Sequence, residues 1–141
     1  MKDFRASGVL AINCLTHFVL NHEPEAKKMA EKQGPQREET ECPFSATCVN
    51  LSCQLFQFFS ENQKLENLLE SLCKQNEFAF ESIFCSYLIV FDRVWRNKKA
   101  TYMQFNNIVS YVNDKFVKLL KKSPKDVKTL QEMSNKIKWD I

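Results

Sequence analysis

Glycine and proline are scarce in this sequence, with two glycines and four prolines among 141 residues. A sheet of many short strands needs a turn every few residues, so this composition excludes a β-sandwich or a β-barrel. It also excludes the glycine-rich loops that hold phosphate in nucleotide-binding proteins, because such a loop requires several neighbouring glycines. The shortage of turn residues therefore favours a helical protein.

Long apolar runs are also missing. The most apolar stretch, residues 78–95, contains Glu81, Asp92 and Arg93, so it is not the run of roughly 18 uncharged residues that a membrane-spanning helix needs. The N-terminal segment contains an acidic residue, Asp3, at its third position and lacks the apolar core of a signal peptide. We therefore expect a cytoplasmic protein.

Residue patterns for metal binding or hydrolysis are not found. The six cysteines form no C-x-x-C pair, and His17 and His22 lie at no recognised metal-ligand spacing. Zinc bound by Cys42, Cys48 and Cys53 would need a fourth ligand, so buried free thiols are the favoured interpretation. No motif of the G-x-S-x-G type accompanies either histidine. The sequence predicts neither a metal nor a cofactor.

Apolar residues recur at helical spacing along most of the chain. Seven helices are predicted in segments 9–20, 23–32, 43–59, 60–72, 80–95, 101–120 and 123–137, and no strand is predicted. The first helix is apolar on a broad face and is expected to be central, while residues 34–42 are expected to form a mobile loop. The fold expected for residues 1–141 is all-α, a single irregular orthogonal bundle of six to seven helices.

Three serine or threonine residues stand three positions before a side chain that can complete a capping box. The pairs are Ser60 with Gln63, Thr101 with Gln104, and Ser123 with Asp126. Pro124 suits the first position of the last helix, where its missing N–H would have no partner. These pairs predict three helix starts.

Positive charge is concentrated in the last third of the chain. Residues 96–141 contain eleven Lys or Arg against four Asp or Glu, whereas residues 1–95 contain nine against thirteen. The simplest interpretation is a solvated lysine-rich surface; the alternatives are attraction to an anionic membrane, as in peripheral attachment to endomembranes, or to an acidic protein. Nucleic acid is not expected, because the basic residues are not interleaved with exposed aromatics.

The N-terminal residues carry a family resemblance. Residues 3–8 read Asp-Phe-Arg-Ala-Ser-Gly, which resembles the Asp-Phe-Arg-Gly-x-Gly element of the ELMO domain. Further segments resemble the same family in the same order, at residues 42–46, 49–52, 91–95 and 103–106. The resemblance covers residues 3–120 and implies an ELMO-like helical domain. Since the family has helices before this element, we expect residues 1–141 to be truncated at the N-terminus relative to the family.

The resemblance also implies a function. The ELMO domain-containing branch activates Arf-family GTPases, and the arginine matched by Arg5 is the residue held essential there. A GTP-bound Arf/Arl GTPase is the implied partner, and the chain would be a GTPase activator without substrate turnover of its own. Phe4 belongs to the same element, Asp3 would hold the guanidinium, and Gly8 would let the backbones approach closely. Ala6 stands where the family has its first glycine.

A second branch of the family leaves an alternative open. That branch partners DOCK-type exchange factors and generally lacks the arginine. The alternative is therefore a non-catalytic helical module that binds a small GTPase or a DOCK-type exchange factor in cytoskeletal, engulfment or membrane-traffic signalling. In either case the arginine element is expected to form a small-residue turn just before the first helix.

Overall fold

The computed structural model describes residues 4–30 and 44–136. This part of the chain forms seven α-helices, one short 3-10 turn and no strand. The helices are α1 Phe4–Asn21, α2 Glu23–Ala30, α3 Phe44–Glu61, α4 Gln63–Gln75, α5 Ala79–Lys98, α6 Phe105–Lys121 and α7 Val127–Lys136. The all-α prediction with its helix count is confirmed for these residues. The loop predicted at residues 34–42 lies outside them.

The central helix of the bundle is α5. Twelve of its 20 residues are buried, and it packs against α1, α3, α4, α6 and α7. Its largest side chains, Tyr87, Phe91 and Trp95, are fully enclosed. A helix with this many buried positions must be covered on several sides, and here five neighbours cover it.

Aromatic rings join α5 to α6. Tyr87 meets Phe116 edge to face, with 4.9 Å between ring centroids. One turn further along, Phe105 of α6 packs against Phe91 at 5.7 Å and against Trp95 at 6.2 Å. Edge-to-face pairs at these separations add stability beyond the buried area itself. The predicted packing of the two long helices is confirmed.

The predicted central position of α1 is wrong. Its side formed by Ala11, Cys14 and Phe18 is buried, and α1 packs on α3 and α5. The opposite side of α1 faces solvent. The prediction failed because apolar residues lie on both sides of α1, while the enclosed position is occupied by α5.

The capping box predicted at Thr101 is confirmed. The Thr101 N–H donates to Oε1 of Gln104 at 3.1 Å, and the reciprocal contact is also present. It begins the 3-10 turn Tyr102–Gln104, which leads directly into α6. This turn joins α6 to the end of α5.

The cap predicted at Ser60 is wrong. Helix α3 continues to Glu61, and the Ser60 hydroxyl donates to the carbonyl of Phe56 at 2.9 Å within it. The cap of α4 is instead Asn62, whose Oδ1 accepts from the backbone N–H of Lys64 at 3.0 Å. Asparagine caps a helix as well as serine does, so the later residue takes this role.

The start predicted for the last helix is also wrong. Ser123 has a left-handed backbone with a φ of 54°, and Pro124 precedes α7, which begins at Val127. Asp126 is the residue that caps α7, because its carboxylate accepts from the Thr129 N–H at 2.7 Å. Hydrogen bonds from the Thr129 side chain and from its backbone N–H hold the pKa of Asp126 below its usual value.

Most of the described cysteines are enclosed thiols. Cys14, Cys48 and Cys85 are buried, Cys53 is half-buried and Cys73 is exposed. Burial raises the pKa of the Cys85 thiol to about 12, so this sulfur stays protonated and unreactive at neutral pH. The prediction of buried free thiols is confirmed for these three residues.

Candidate functional site

The arginine element forms the beginning of α1. Because α1 begins at Phe4, the backbone of Arg5 and Gly8 is helical, and the turn predicted before the helix is wrong. Of residues 4–8 the structure describes the backbone, and Asp3 lies outside the described residues. Helical backbone has negative φ, so Ala6 fits at a position where the family has glycine.

The helical repeat assigns Arg5 to a definite side of α1. Positions separated by three or four residues share a face, which groups Arg5 with Val9, Ile12, Thr16 and Leu20. Val9, Ile12 and Leu20 have exposed fractions of 58%, 64% and 76%, and Thr16 is exposed as well. We call these five positions the outer face of α1. At 1.5 Å per residue the face is about 22 Å long.

The opposite side fastens α1 to the bundle. Cys14 and Phe18 have no exposed surface, and the Phe18 ring lies 6.4 Å from the ring of Phe44 in α3. Fully buried side chains on one side of a helix fix its rotation about its own axis. The outer face is therefore presented in one orientation.

The outer face carries almost no charge. Helix α1 contains one arginine, Arg5, and no lysine, aspartate or glutamate. Exposed apolar side chains in a row, without charges between them, are typical of a surface that another protein covers. The sequence of α1 therefore contains no acidic residue that could pair with Arg5.

A cleft lies beside the far end of the outer face, between α1 and the start of α5. It has a volume of about 570 Å³, and its lining includes Leu20, Phe78 and Glu81. The His17 ring stacks on Phe78 with centroids 5.6 Å apart, and its Nε2 lies 3.3 Å from Oγ of Ser82. The sequence analysis missed this histidine and serine pair.

The pair joins two helices and does not form a nucleophile. Ser82 is 9% exposed, so a substrate cannot reach its hydroxyl. The hydrogen bond and the ring contact instead fix α1 against α5 at His17. Because 65 residues separate His17 from Ser82, no local sequence pattern could have indicated the contact.

Within 4–30 and 44–136, no three His, Cys, Asp or Glu side chains are grouped so that they could hold a metal ion. Over those ranges, no helix has the length and apolarity required to cross a membrane. The outer face of α1, with Val9, Ile12 and Leu20 more than half exposed, is the strongest candidate site in the described part of the chain.

Comparison with known proteins gives a family. Residues 1–109 match the model of the ELMO/CED-12 family. Engulfment and cell motility protein 1 of Homo sapiens is 20% identical over 120 residues, covering 83% of this chain and 16% of that protein. No solved structure matches the chain closely enough to indicate a relationship.

Two Dictyostelium discoideum proteins are also similar to the chain. ELMO domain-containing protein A is 25% identical over 145 residues, covering 86% of this chain and 15% of that protein. ELMO domain-containing protein C is 24% identical over 122 residues, covering 77% and 19% respectively. The chain spans less than one fifth of the length of each of these relatives.

Proposed function

Because this chain belongs to the ELMO/CED-12 family, we propose that it acts on a small GTPase. The outer face of α1 docks on a GTP-bound GTPase of the Arf/Arl family, and Arg5 enters the nucleotide site as an arginine finger. The GTPase supplies the nucleotide and Mg²⁺. The chain supplies a docking surface and one positive charge.

The chemistry of GTP hydrolysis explains why one arginine would suffice. Negative charge spreads over the oxygens of the transferring phosphoryl group in the transition state, and a guanidinium placed beside them stabilises that charge. Such a group accelerates hydrolysis by roughly a thousandfold or more. Lysine is a poorer substitute, because its ammonium is a compact charge without the planar pair of donors.

The observation that carries the proposal is the grouping of Arg5 with exposed apolar side chains on one helix. Val9 and Ile12 lie one and two turns from Arg5 on the outer face and are more than half exposed. Binding energy from such neighbours would position the arginine, and positioning accounts for much of the value of a catalytic group. The buried side of α1 would keep its first turn from rotating.

A second function is favoured by the length of the outer face. The exposed surface continues past Ile12 to Leu20, which is 76% exposed. A finger alone does not require a docking surface of this length. The alternative is therefore a non-catalytic module that binds a small GTPase or a DOCK-type exchange factor through α1 without accelerating hydrolysis.

Single-turnover GTP hydrolysis separates the two functions. The rate for an Arf-family GTPase loaded with GTP is measured with a saturating amount of the wild-type chain, Arg5→Lys or Arg5→Ala. We expect both variants to lose most of the stimulation, a reduction of roughly a thousandfold. Arg93→Ala, which removes a guanidinium from α5, should leave the rate unchanged. Equal rates for the wild type and both Arg5 variants would exclude the finger and favour the docking module.

A further inference from the structure

A second exposed apolar site lies on the turn between α5 and α6. Tyr102 is 60% exposed and Met103 is 88% exposed. They are consecutive residues in the short 3-10 turn that precedes α6. We call Tyr102 and Met103, with Lys98 and Lys99 before them, the α5–α6 tip.

The tip is a rigid structure and not a loose loop. Lys99 has a left-handed backbone with a φ of 52°, and the N–H of Ala100 donates to the Trp95 carbonyl at 3.1 Å. The Tyr102 ring stacks on Phe105 with 6.0 Å between centroids. Phe105 in turn packs on Phe91 in the core. This packing holds the turn against the bundle, while the side chains of Tyr102 and Met103 remain exposed to solvent.

Positive charge surrounds these apolar side chains. Lys98 and Lys99 are exposed, and neither forms an ion pair with another described residue. Arg96, one turn earlier in α5, is paired with the Asp92 carboxylate at 3.0 Å, so the unpaired positive charge of the tip comes from Lys98 and Lys99. Residues 93–113 contain no aspartate or glutamate.

We propose that the α5–α6 tip is a membrane-contact site for an anionic lipid surface. Tyr102 and Met103 enter the boundary between headgroups and acyl chains, and Lys98 and Lys99 lie among lipid phosphates. Aromatic residues concentrate at this depth of a bilayer, and each lysine near an anionic surface adds to the attraction. The site concerns membrane attachment and does not depend on the proposed activity of Arg5.

A lipid surface fits the tip better than a protein does. Two exposed apolar side chains supply much less area than the roughly 1,000 Å² that a stable protein interface buries. Protein interfaces are also enriched in arginine and depleted in lysine, whereas the two charged residues of the tip are both lysines. The lysine ammonium is a compact charge on a flexible side chain, so it can follow phosphate groups that move within the bilayer.

Vesicle sedimentation tests the proposal. The probe is phosphatidylcholine vesicles with or without about 30 mol% phosphatidylserine, at about 0.1 M and about 0.5 M salt. We expect the wild-type chain to bind the anionic vesicles, and to lose that binding at the higher salt concentration. Met103→Ser should weaken binding about tenfold, because one apolar side chain no longer leaves water.

Two lysine pairs supply the matched comparison. Lys98→Gln with Lys99→Gln should weaken binding roughly 25-fold, at about fivefold per charge. Lys121→Gln with Lys122→Gln removes the same charge at the far end of α6, about 25 Å away, and should change binding by less than about threefold.

Equal losses of vesicle binding from the two lysine pairs, or full binding by Met103→Ser, would overturn the tip as the membrane-contact site. Failure of the wild-type chain to bind would overturn it as well, in favour of a protein at this surface. Circular dichroism checks that each variant is folded.

Discussion

Helices α1 and α5 are both rich in apolar residues, yet the fold treats them differently. Neighbouring helices surround α5, and its Tyr87, Leu88 and Phe91 side chains have no exposed surface. It covers one side of α1 and leaves Ile12 and Leu20 in solvent. A high content of apolar residues therefore predicts that a helix is buried. It does not show whether other helices of the same protein or a partner protein bury it.

The difference has a functional meaning because the exposed side of α1 has no charged position apart from Arg5. An exposed lysine-rich helix needs no partner, since its charges are well solvated. An exposed apolar side without charges remains costly in water until another molecule covers it. This contrast with α5 is what makes the outer face of α1 a docking surface in our proposal.

The largest expected effect compares one substitution in the two helices. Leu88→Ala in α5 should lower the free energy of unfolding by about 2–5 kcal/mol, because it leaves a cavity in a closed core. Leu20→Ala in α1 should change it by less than about 0.5 kcal/mol, because Leu20 is already 76% exposed. Urea denaturation measures both, and losses of equal size would mean that α1 is as enclosed as α5.

A smaller effect concerns a polar group that is enclosed with the core of α5. The Tyr87 hydroxyl is buried and makes no hydrogen bond to another described residue, and burial raises the pKa of Tyr87. Tyr87→Phe removes this unpaired group and keeps the ring contact with Phe116. The variant should unfold with unchanged free energy or with a gain of up to about 1 kcal/mol. A loss larger than about 1 kcal/mol would show that the hydroxyl has a partner.

The smallest effect is a pH dependence at the place where the two helices meet. His22 lies beside Ser86 and Ile89 of α5, and burial lowers the pKa of His22 from its usual value of 6.5. Below pH 6.5 the His22 imidazole binds a proton more readily in the unfolded chain than in the folded chain. The free energy of unfolding should therefore fall as the pH decreases. His22→Gln should flatten the change between about pH 7.5 and about pH 5.5. An identical slope in the variant would assign the change to other groups.

Local patterns predicted the number of helices, but they placed some helix starts incorrectly. Each helix leaves a periodic arrangement of apolar residues, so the number of helices could be read from the sequence. The cap at Ser60 was wrong because Phe59 is buried and its packing extends α3 beyond the serine. Asn62 then offers an equally good cap two residues later. The choice between two adequate caps was decided by packing, which no short pattern shows.

The candidate site was predicted in part. The sequence predicted Arg5 just before the first helix, whereas its backbone lies within α1; the prediction failed because residues 6–8 looked like a turn. The exposed side of α1 could not be predicted, since both of its sides carry apolar residues. The contact between His17 and Ser82 joins residues 65 positions apart and depends entirely on the fold.

The most direct test of the central claim is a titration of an Arf-family GTPase, loaded with GTP, against three forms of the chain. The titration with the wild-type chain measures the maximal rate of GTP hydrolysis and the half-saturating concentration of the chain, at which half of that rate is reached. Arg5→Ala should lower the maximal rate and leave the half-saturating concentration nearly unchanged. Ile12→Asp should raise that concentration roughly tenfold or more, because it places a charge in the docking surface, and should leave the maximal rate unchanged. If neither variant differs from the wild type, the outer face of α1 does not dock a GTPase and Arg5 does not act on its nucleotide.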